Sequence, residues 1–196
     1  YFLYKYVDLF VILDDVQFNR RGYIHRNKFI IGNHCSWVSL PLKKNSRHKK
    51  INNLEFNKQS SQYAKFLDIM KKHFSTPTLS FLENDLTNLE LSPLNYINNL
   101  NKKVTKYFGI NKKTILSSTL NTSDLKGEEK IIEICKKLKA SEYFNLSGGK
   151  KLYNKNNFQK QGIKIYFLKE FKEKISILNY ISMGKNVFSD SNFSCL

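Results

Sequence analysis

The chain has 196 residues, 41% of them hydrophobic, which suits one sizeable core and is too short for two comfortable domains. No apolar run approaches the roughly 20 residues that cross a bilayer, and no basic-then-apolar leader is present. We therefore expect a single cytoplasmic domain over residues 1–196, without a membrane span.

The net charge of +17 raises the question of nucleic-acid binding, but only four of the 33 basic residues are arginine. A dedicated nucleic-acid groove favours arginine for its bidentate phosphate and base contacts. The abundant lysines are typical of a solvated surface, so we expect no specific nucleic-acid partner.

The three cysteines, Cys35, Cys135 and Cys195, form no C-x-x-C pair, and the four histidines never fall at metal-ligand spacing. The pattern indicates reduced thiols in a reducing compartment. It predicts neither a metal site nor a bound cofactor.

The first part of the chain predicts the end of a helix, a buried strand and a hairpin. An apolar run closed by two acids is typical of a central strand, and Gly-Asn between two apolar runs favours a hairpin. The predicted elements are a helix to Tyr6, a strand over Leu9–Leu13, and paired strands over Lys28–Ile31 and Cys35–Leu40.

Strands and helices alternate along the remainder of the chain. The predicted strands are Ile51–Phe56, Thr114–Leu116, Glu142–Leu146 and Ile163–Leu168, and the predicted helices are Gln62–Phe74, Pro93–Phe108, a helix capped by Ser123 that runs to Leu138, and Ile175–Met183. This alternation predicts an α/β fold, Rossmann-like, with a mostly parallel sheet, helices on both faces and an added β-hairpin.

Asp14 and Asp15 follow the first buried strand, at the edge where open α/β sheets bind ligands. Because side chains alternate along a strand, one carboxylate is expected to face the sheet and the other a crevice. Two carboxylates can also hold Mg²⁺, and an Asp pair can simply cap a loop. All three alternatives stay open at the level of sequence.

The loop that follows holds three of the four arginines in a chain otherwise rich in lysine. Guanidinium groups grip phosphate or carboxylate, whereas amide and phenol groups orient a ligand. The predicted substrate-binding residues are Gln17, Arg21, Tyr23, Arg26 and Asn27, and His25 is a candidate base because histidine titrates near neutrality. We expect Asp14 and Arg26 to line one crevice.

Gly148 and Gly149 follow a predicted strand, where successive glycines allow backbone N–H groups to converge on an anion. An ordinary strand-to-helix turn is the alternative. Lys126 opens the capped helix, a second candidate anion site.

Several blocks resemble the WbqC-like protein family, in the family's order along nearly the whole chain. They are residues 10–18, 21–28, 37–42, 118–119, 126–135, 143–145, 148–149, 152–153, Phe158 and 175–179. The family's first strand, with its Gln-Pro, is expected ahead of Tyr1 and beside Asp14.

The resemblance implies a group transferase, of glycyl or other acyl groups, that acts on a nucleotide-linked amino sugar in O-antigen or other surface-polysaccharide biosynthesis. Asp14 or Asp15 would orient or deprotonate an amine, Arg21 and Arg26 would hold an anion, and Asn145 and Tyr153 join the substrate-binding set. A charged tRNA is a conceivable donor. The alternatives are a Mg²⁺-dependent glycosyl- or nucleotidyltransferase and a basic RNA-binding module.

Overall fold

The computed structural model describes residues 1–44, 48–169 and 175–188. It shows a mixed α/β protein that divides into two compact units. Within the described residues, the first unit comprises residues 1–16 and 110–169, and the second comprises residues 17–44, 48–109 and 175–188. The single domain expected from the length of the chain stays a prediction.

The first unit contains two pairs of parallel strands and three helices. Its elements are α1 (Phe2–Tyr6), β1 (Leu9–Ile12), β4 (Lys113–Leu116), α5 (Gly127–Lys137), β5 (Glu142–Leu146), α6 (Lys155–Gln159) and β6 (Lys164–Leu168), with 3₁₀ turns at Ser117–Leu120 and Ser147–Leu152. Leu9 pairs with Lys113 in one sheet, and Glu142 pairs with Lys164 in the other.

The second unit contains the hairpin and four helices. Its elements are β2 (Arg26–Ile31), β3 (His34–Ser39), α2 (Ser61–Phe74), α3 (Glu83–Thr87), α4 (Pro93–Tyr107) and α7 (Ile177–Ser182), with 3₁₀ turns at Ile51–Asn53 and Pro77–Leu82. Gly32 has a φ of +60° at the first of two loop residues, which glycine adopts readily in tight hairpin turns.

The α/β class and the antiparallel hairpin are confirmed, but the strands of the described residues form three two-stranded sheets. The expectation of one continuous, mostly parallel sheet is corrected accordingly, because alternation along the sequence predicts strands and not which edges pair. The strand predicted at Ile51–Phe56 is wrong: Ile51–Asn53 is a 3₁₀ turn, and only Phe56 makes an isolated bridge, to Leu42.

Helix capping was predicted correctly for α4 but not for α5. Ser92 accepts a hydrogen bond from the backbone N–H of Asn95, as an N-cap does. Helix α5 begins instead at Gly127, with Lys126 as an N-cap that makes no side-chain capping bond. Ser123 is directed elsewhere, to Asp15.

The core of the first unit lies between α5 and the β5–β6 pair. Phe158 is fully buried, and its ring stacks on Tyr143 at a centroid distance of 5.7 Å. Ile131 and Cys135 of α5 pack in the same cluster, and burial raises the pKa of the Cys135 thiol to about 11. Cys35 is exposed, and Cys195 lies outside the described residues.

The hairpin of the second unit is held by a buried side chain of α7. Asn179 donates from Nδ2 to the carbonyl of Ile30 at 2.9 Å and accepts from the N–H of Ile30 at 3.1 Å. This amide therefore satisfies one backbone donor and one acceptor of an edge strand. Phe29 of the same strand packs edge-on against Phe74 of α2.

No helix within residues 1–44, 48–169 and 175–188 is long and apolar enough to cross a membrane.

We expect Phe158→Ala to lower the free energy of unfolding by about 3–5 kcal/mol, because truncation of a fully buried aromatic ring leaves a cavity. Leu152→Ala is the control, since Leu152 is 70% exposed. Urea denaturation followed by circular dichroism measures both variants. Equal stability of the two would contradict the placement of this core.

Candidate active site

Asp14 and Asp15 lie at the carboxyl end of β1, where its parallel partner β4 also ends. Oδ1 of Asp14 accepts a hydrogen bond from the Ser118 N–H at 2.9 Å and lies 3.2 Å from the Ser117 hydroxyl. The Ser117 hydroxyl also lies within hydrogen-bond reach of Asp15 Oδ1. The acid pair thus ties the ends of two adjacent parallel strands together.

Both carboxylates are buried, which corrects the expectation that one of them points into a crevice. Strand β1 ends at Ile12, so the alternation of side chains no longer applies two residues later. Asp14 and Asp15 turn toward the same hydroxyl, that of Ser117, instead of toward opposite sides.

Lys130 supplies the positive charge for this pair. Its Nζ lies 2.7 Å from Oδ2 of Asp15 and 2.8 Å from the carbonyl oxygen of Thr122, and the side chains of Lys130 and Asp15 are 3% and 2% exposed. The Ser123 hydroxyl donates to the same Oδ2 at 2.9 Å. A buried ion pair of this kind is tolerated because hydrogen bonds satisfy the remaining polar atoms.

The surroundings of Asp15 keep its carboxylate ionised. Burial raises the pKa of Asp15, but hydrogen bonds from Lys130, Ser117 and Ser123 and the charge of Lys130 outweigh it and lower the pKa to about 2. A carboxylate held in this state is a weak proton acceptor. Asp15 is therefore suited to position other groups, and of the two acids only Asp14 is left as a candidate acceptor.

Sequence reasoning missed Lys130 as a member of the site. A signal was present, since position 130 lies one turn before Ile134 on the apolar stripe of α5, where a lysine is out of place. A charged residue in the buried face of a helix needs a partner of opposite charge. Its partner Asp15 lies 115 residues away in sequence, so the pairing could not be inferred from spacing.

A second polar cluster lies where β5 ends. Nδ2 of Asn145 donates to the Tyr143 hydroxyl at 3.0 Å, and the Tyr153 hydroxyl lies 3.4 Å from both groups. Burial and the hydrogen bond to Tyr153 raise the pKa of Tyr143, so its phenol stays protonated. The structure brings together three residues of the predicted substrate-binding set, Asn145, Tyr153 and Gly149.

Gly149 lies close to the Asn145 side chain. A Cβ at position 149 would lie 2.8 Å from Nδ2 of Asn145, so a larger residue would displace that amide. Gly148 and Gly149 form part of the Ser147–Leu152 3₁₀ turn, and neither has a positive φ. The alternating backbone of an anion-binding nest is therefore not what these glycines form.

The first turn of α5 connects to the segment after β5. Glu128 accepts hydrogen bonds from the Asn154 N–H and from Nδ2 of Asn157, the latter at 2.6 Å. Lys126, predicted to bind substrate, is exposed just before this turn. The start of α5 therefore contacts both the start of α6, through Glu128, and the end of β1, through Lys130 and Asp15.

The arginine-rich loop belongs to the second unit. Arg26 donates from Nε to the Gly22 carbonyl at 3.2 Å and from Nη2 to the Arg21 carbonyl at 2.7 Å. Its guanidinium group lies 4.3 Å from the ring centroid of Trp37, and the Tyr23 ring lies 5.4 Å from the same ring. Arg26 thus shapes the loop and is stabilised by a cation–π contact.

Trp37 and Lys28 were not predicted as site residues, although they join this group. They face each other across the hairpin, and Nζ of Lys28 lies 5.5 Å from the Trp37 ring. Trp37 is 43% exposed and Tyr23 is 52% exposed. The position of the chain's single tryptophan on the predicted hairpin was the signal available in the sequence.

The other residues predicted in the loop have separate positions. Gln17 is exposed and forms an isolated bridge with Lys50, and Oδ1 of Asn27 accepts from the N–H of Lys28 at 2.9 Å. Asp14 and Arg26 belong to different units, so the crevice expected between them stays a prediction.

His25 is buried, and its Nδ1 has no hydrogen-bond partner among the described residues. Burial lowers the pKa of His25 to about 4, helped by the charges of Arg26 and Arg20. The imidazole is therefore neutral at pH 7. Its predicted role as a base remains a prediction.

Within residues 1–44, 48–169 and 175–188, no group of three or more His, Cys, Asp or Glu side chains could hold a metal ion.

The profile of the WbqC-like protein family matches residues 1–184. The chain belongs to this family. The WbqC-like chain is also 25% identical over 180 residues to the uncharacterized protein Rv1507c of Mycobacterium tuberculosis (strain ATCC 25618 / H37Rv). The alignment covers 83% of this chain and 73% of that protein. No solved structure matches the WbqC-like chain.

We expect Lys130→Met to destabilise the WbqC-like chain by about 3–5 kcal/mol, because it leaves the Asp15 carboxylate buried without its cation. The double variant Lys130→Met with Asp15→Leu should recover much of that loss, since no unpaired charge is then buried. Urea denaturation at pH 7 measures the difference. A double variant no more stable than Lys130→Met would contradict the role of the ion pair.

We expect the His25 side chain to make stability fall as the pH decreases between about 6.5 and 4. In that range the unfolded chain binds a proton at His25 and the folded chain does not, because the folded pKa is lowered to about 4. His25→Gln should flatten this part of the stability profile. His73→Gln, on the surface of α2, is the control and should leave the slope unchanged.

Proposed function

We propose that this protein is a group transferase that moves a glycyl or other acyl group onto the amine of a nucleotide-linked amino sugar in O-antigen or surface-polysaccharide biosynthesis. Membership of the WbqC-like family supports the general class. The observation that carries the proposal is the Asp14–Asp15–Lys130 network at the carboxyl ends of β1 and β4. That edge is where α/β proteins bind their ligands.

A Rossmann-like arrangement of the first unit is part of the same proposal. Strands β5 and β6 are parallel and are joined through α6, as in the βαβ units of mononucleotide-binding folds. Similarity to the mononucleotide-binding fold does not by itself establish a mechanism. The mechanism has to come from the side chains at the edge.

In the proposed reaction the amine nitrogen attacks the carbonyl carbon of the acyl donor. A C–N bond forms, and the bond between that carbon and the leaving group of the donor breaks with its electron pair going to the leaving group. Asp14 takes the proton released from the nitrogen and passes it to the leaving group. Asp15 is a positioning residue, because Lys130 and two hydroxyl groups occupy its carboxylate.

The remaining residues bind substrate in this proposal. In the second unit, Arg21 and Arg26 bind a diphosphate, with Tyr23 and Asn27 beside it. In the first unit, Asn145, Gly149 and Tyr153 bind the acyl donor. The geometry that supports this assignment for Arg26 is its fixed position, since two carbonyl groups and the Trp37 ring already orient its guanidinium. A preorganised cation binds phosphate with a smaller entropic cost.

The position of Lys130 supports a metal-independent reaction. Its ammonium group already neutralises Asp15, the function that Mg²⁺ serves between paired carboxylates. The alternative, a Mg²⁺-dependent transferase, requires that a cation compete with this buried lysine.

We expect a nucleoside diphosphate-linked amino sugar to bind with equal affinity in Mg²⁺ and in chelator. Arg26→Gln should weaken binding by about tenfold, because one charge-assisted contact to phosphate is lost. Lys65→Gln, an exposed residue of α2, removes the same charge and should have little effect. Calorimetric titration measures the affinities.

Transfer is then tested by mass spectrometry of the amino sugar after incubation with acyl-CoA or charged tRNA donors. Asp14→Asn should abolish the mass gain while leaving sugar binding nearly intact. Absence of transfer from either class of donor, or a large gain of affinity with Mg²⁺ that Asp14→Asn removes, would overturn the proposed function.

A further inference from the structure

A groove of about 540 Å³ opens on the first unit beside helix α5. The loop that precedes α5 forms one wall, with Thr122 and Asp124, and the exposed face of α5 forms another, with Glu129 and Glu133. The groove borders the apolar face of α5, because Ile132 lines the groove and also packs against the core. It therefore offers a polar cavity next to the acid pair and Lys130.

The groove is acidic, although the chain has twice as many basic as acidic residues. Three carboxylates line it together with Lys136 and Lys137. Lys136 lies 3.7 Å from Glu133, and Nζ of Lys137 donates to a backbone carbonyl at 3.2 Å. Within the described part of the chain, Asp124 and Glu129 have no ion-pair partner.

Helix electrostatics explain only part of this charge. An acid in the first turn is favoured by the helix dipole, which accounts for Glu128 and Glu129. Glu128 is also occupied by its hydrogen bonds to residues 154 and 157. Asp124 precedes the helix and Glu133 follows its first turn, so the dipole accounts for neither.

Thr122 is the second observation that indicates a ligand. The residue is 1% exposed, lines the groove, and its hydroxyl oxygen has no hydrogen-bond partner among the described residues. A buried hydroxyl without a partner costs about 1–3 kcal/mol. The carbonyl of the same residue accepts a hydrogen bond from Lys130, which holds the backbone beside the hydroxyl.

We propose that this groove holds the amino-sugar part of the substrate before its amine is deprotonated at Asp14, with the ammonium group at Asp124 and Glu129 and a sugar hydroxyl at Oγ1 of Thr122. The two carboxylates can accept hydrogen bonds from a protonated amine. The Thr122 hydroxyl, which has no partner among the described residues, can pair with a sugar hydroxyl because both groups donate and accept hydrogen bonds. This inference rests on the proposed function for the identity of the sugar. It assigns the amine to a part of the edge that none of the sequence predictions included.

The chain, labelled with ¹⁵N, is titrated with glucosamine and followed by nuclear magnetic resonance. Amide signals of residues 121–125 and 129–137 should shift. N-acetylglucosamine and glucose are the matched probes, since the first blocks the amine and the second replaces it with a hydroxyl. Each should bind at least about tenfold more weakly than glucosamine, because the contact between ammonium and carboxylate is lost.

Asp124→Asn and Glu129→Gln should each weaken glucosamine binding by about tenfold. Glu128→Gln is the matched control, because it removes the same charge from the same helical turn without lining the groove. Thr122→Val gives two effects of opposite sign. It should stabilise the free protein by removing an unsatisfied hydroxyl, and it should weaken glucosamine binding.

Equal binding of the three sugars, or loss of binding in Glu128→Gln as large as in Asp124→Asn, would overturn the assignment of the groove. So would the absence of shifts at concentrations that saturate a site of about 1 mM affinity. The outcome is separable from that of the proposed function. Binding without transfer retains the groove and removes the transferase, whereas transfer that is unchanged in Asp124→Asn and Glu129→Gln removes the groove alone.

Discussion

The buried ion pair between Asp15 and Lys130 is the constraint on which the functional edge of the first unit depends. It joins the end of β1 to helix α5, and through Ser117 it also holds the start of the turn after β4. Removing two charges from water is costly, so such a pair persists only when its geometry is good and its other hydrogen bonds are made. Here two serine hydroxyls and the Thr122 carbonyl make them.

This network has a consequence for the neighbouring groove. Lys130 holds the carbonyl of Thr122 from inside, and residues 121, 122, 124 and 125 of the same loop line the groove. Helix α5 thus serves two purposes: its buried face carries Lys130, Ile131 and Cys135, and its other face carries the groove carboxylates. A preorganised polar site supported by a rigid helix is what ligand binding requires.

The second unit uses a different device to fix its polar residues. Asn179 makes the hydrogen bonds that the backbone of Ile30 needs at the edge of the hairpin. Phe29 packs one face of the hairpin against Phe74. The solvent-facing side of the hairpin then presents Arg26 and Lys28 with Trp37 between them. The contacts of Asn179 and Phe29 hold the backbone of the hairpin, and its solvent-facing side presents the charged and aromatic side chains.

The sequence by itself determined the local elements and the positions where polar residues follow strands. Alternating apolar runs predicted β1, the hairpin and β5, and the serine cap and 3.6-residue period predicted α4, since these features depend on residues a few positions apart. The sequence also predicted the polar positions Asp14, Asp15, Asn145 and Gly149 at strand ends. Family membership followed from the same motifs.

Only the tertiary structure decided which of these residues meet. Asp15 and Lys130 are 115 positions apart, and nothing in their local sequence specifies the pairing. The same holds for Asn179 and Ile30, which are 149 positions apart, and for the division of the strands into three separate sheets. A carboxylate that local pattern presents as a free catalytic group becomes a fixed structural one when a distant lysine is buried against it, because charge pairing is set by distance in space and not along the chain.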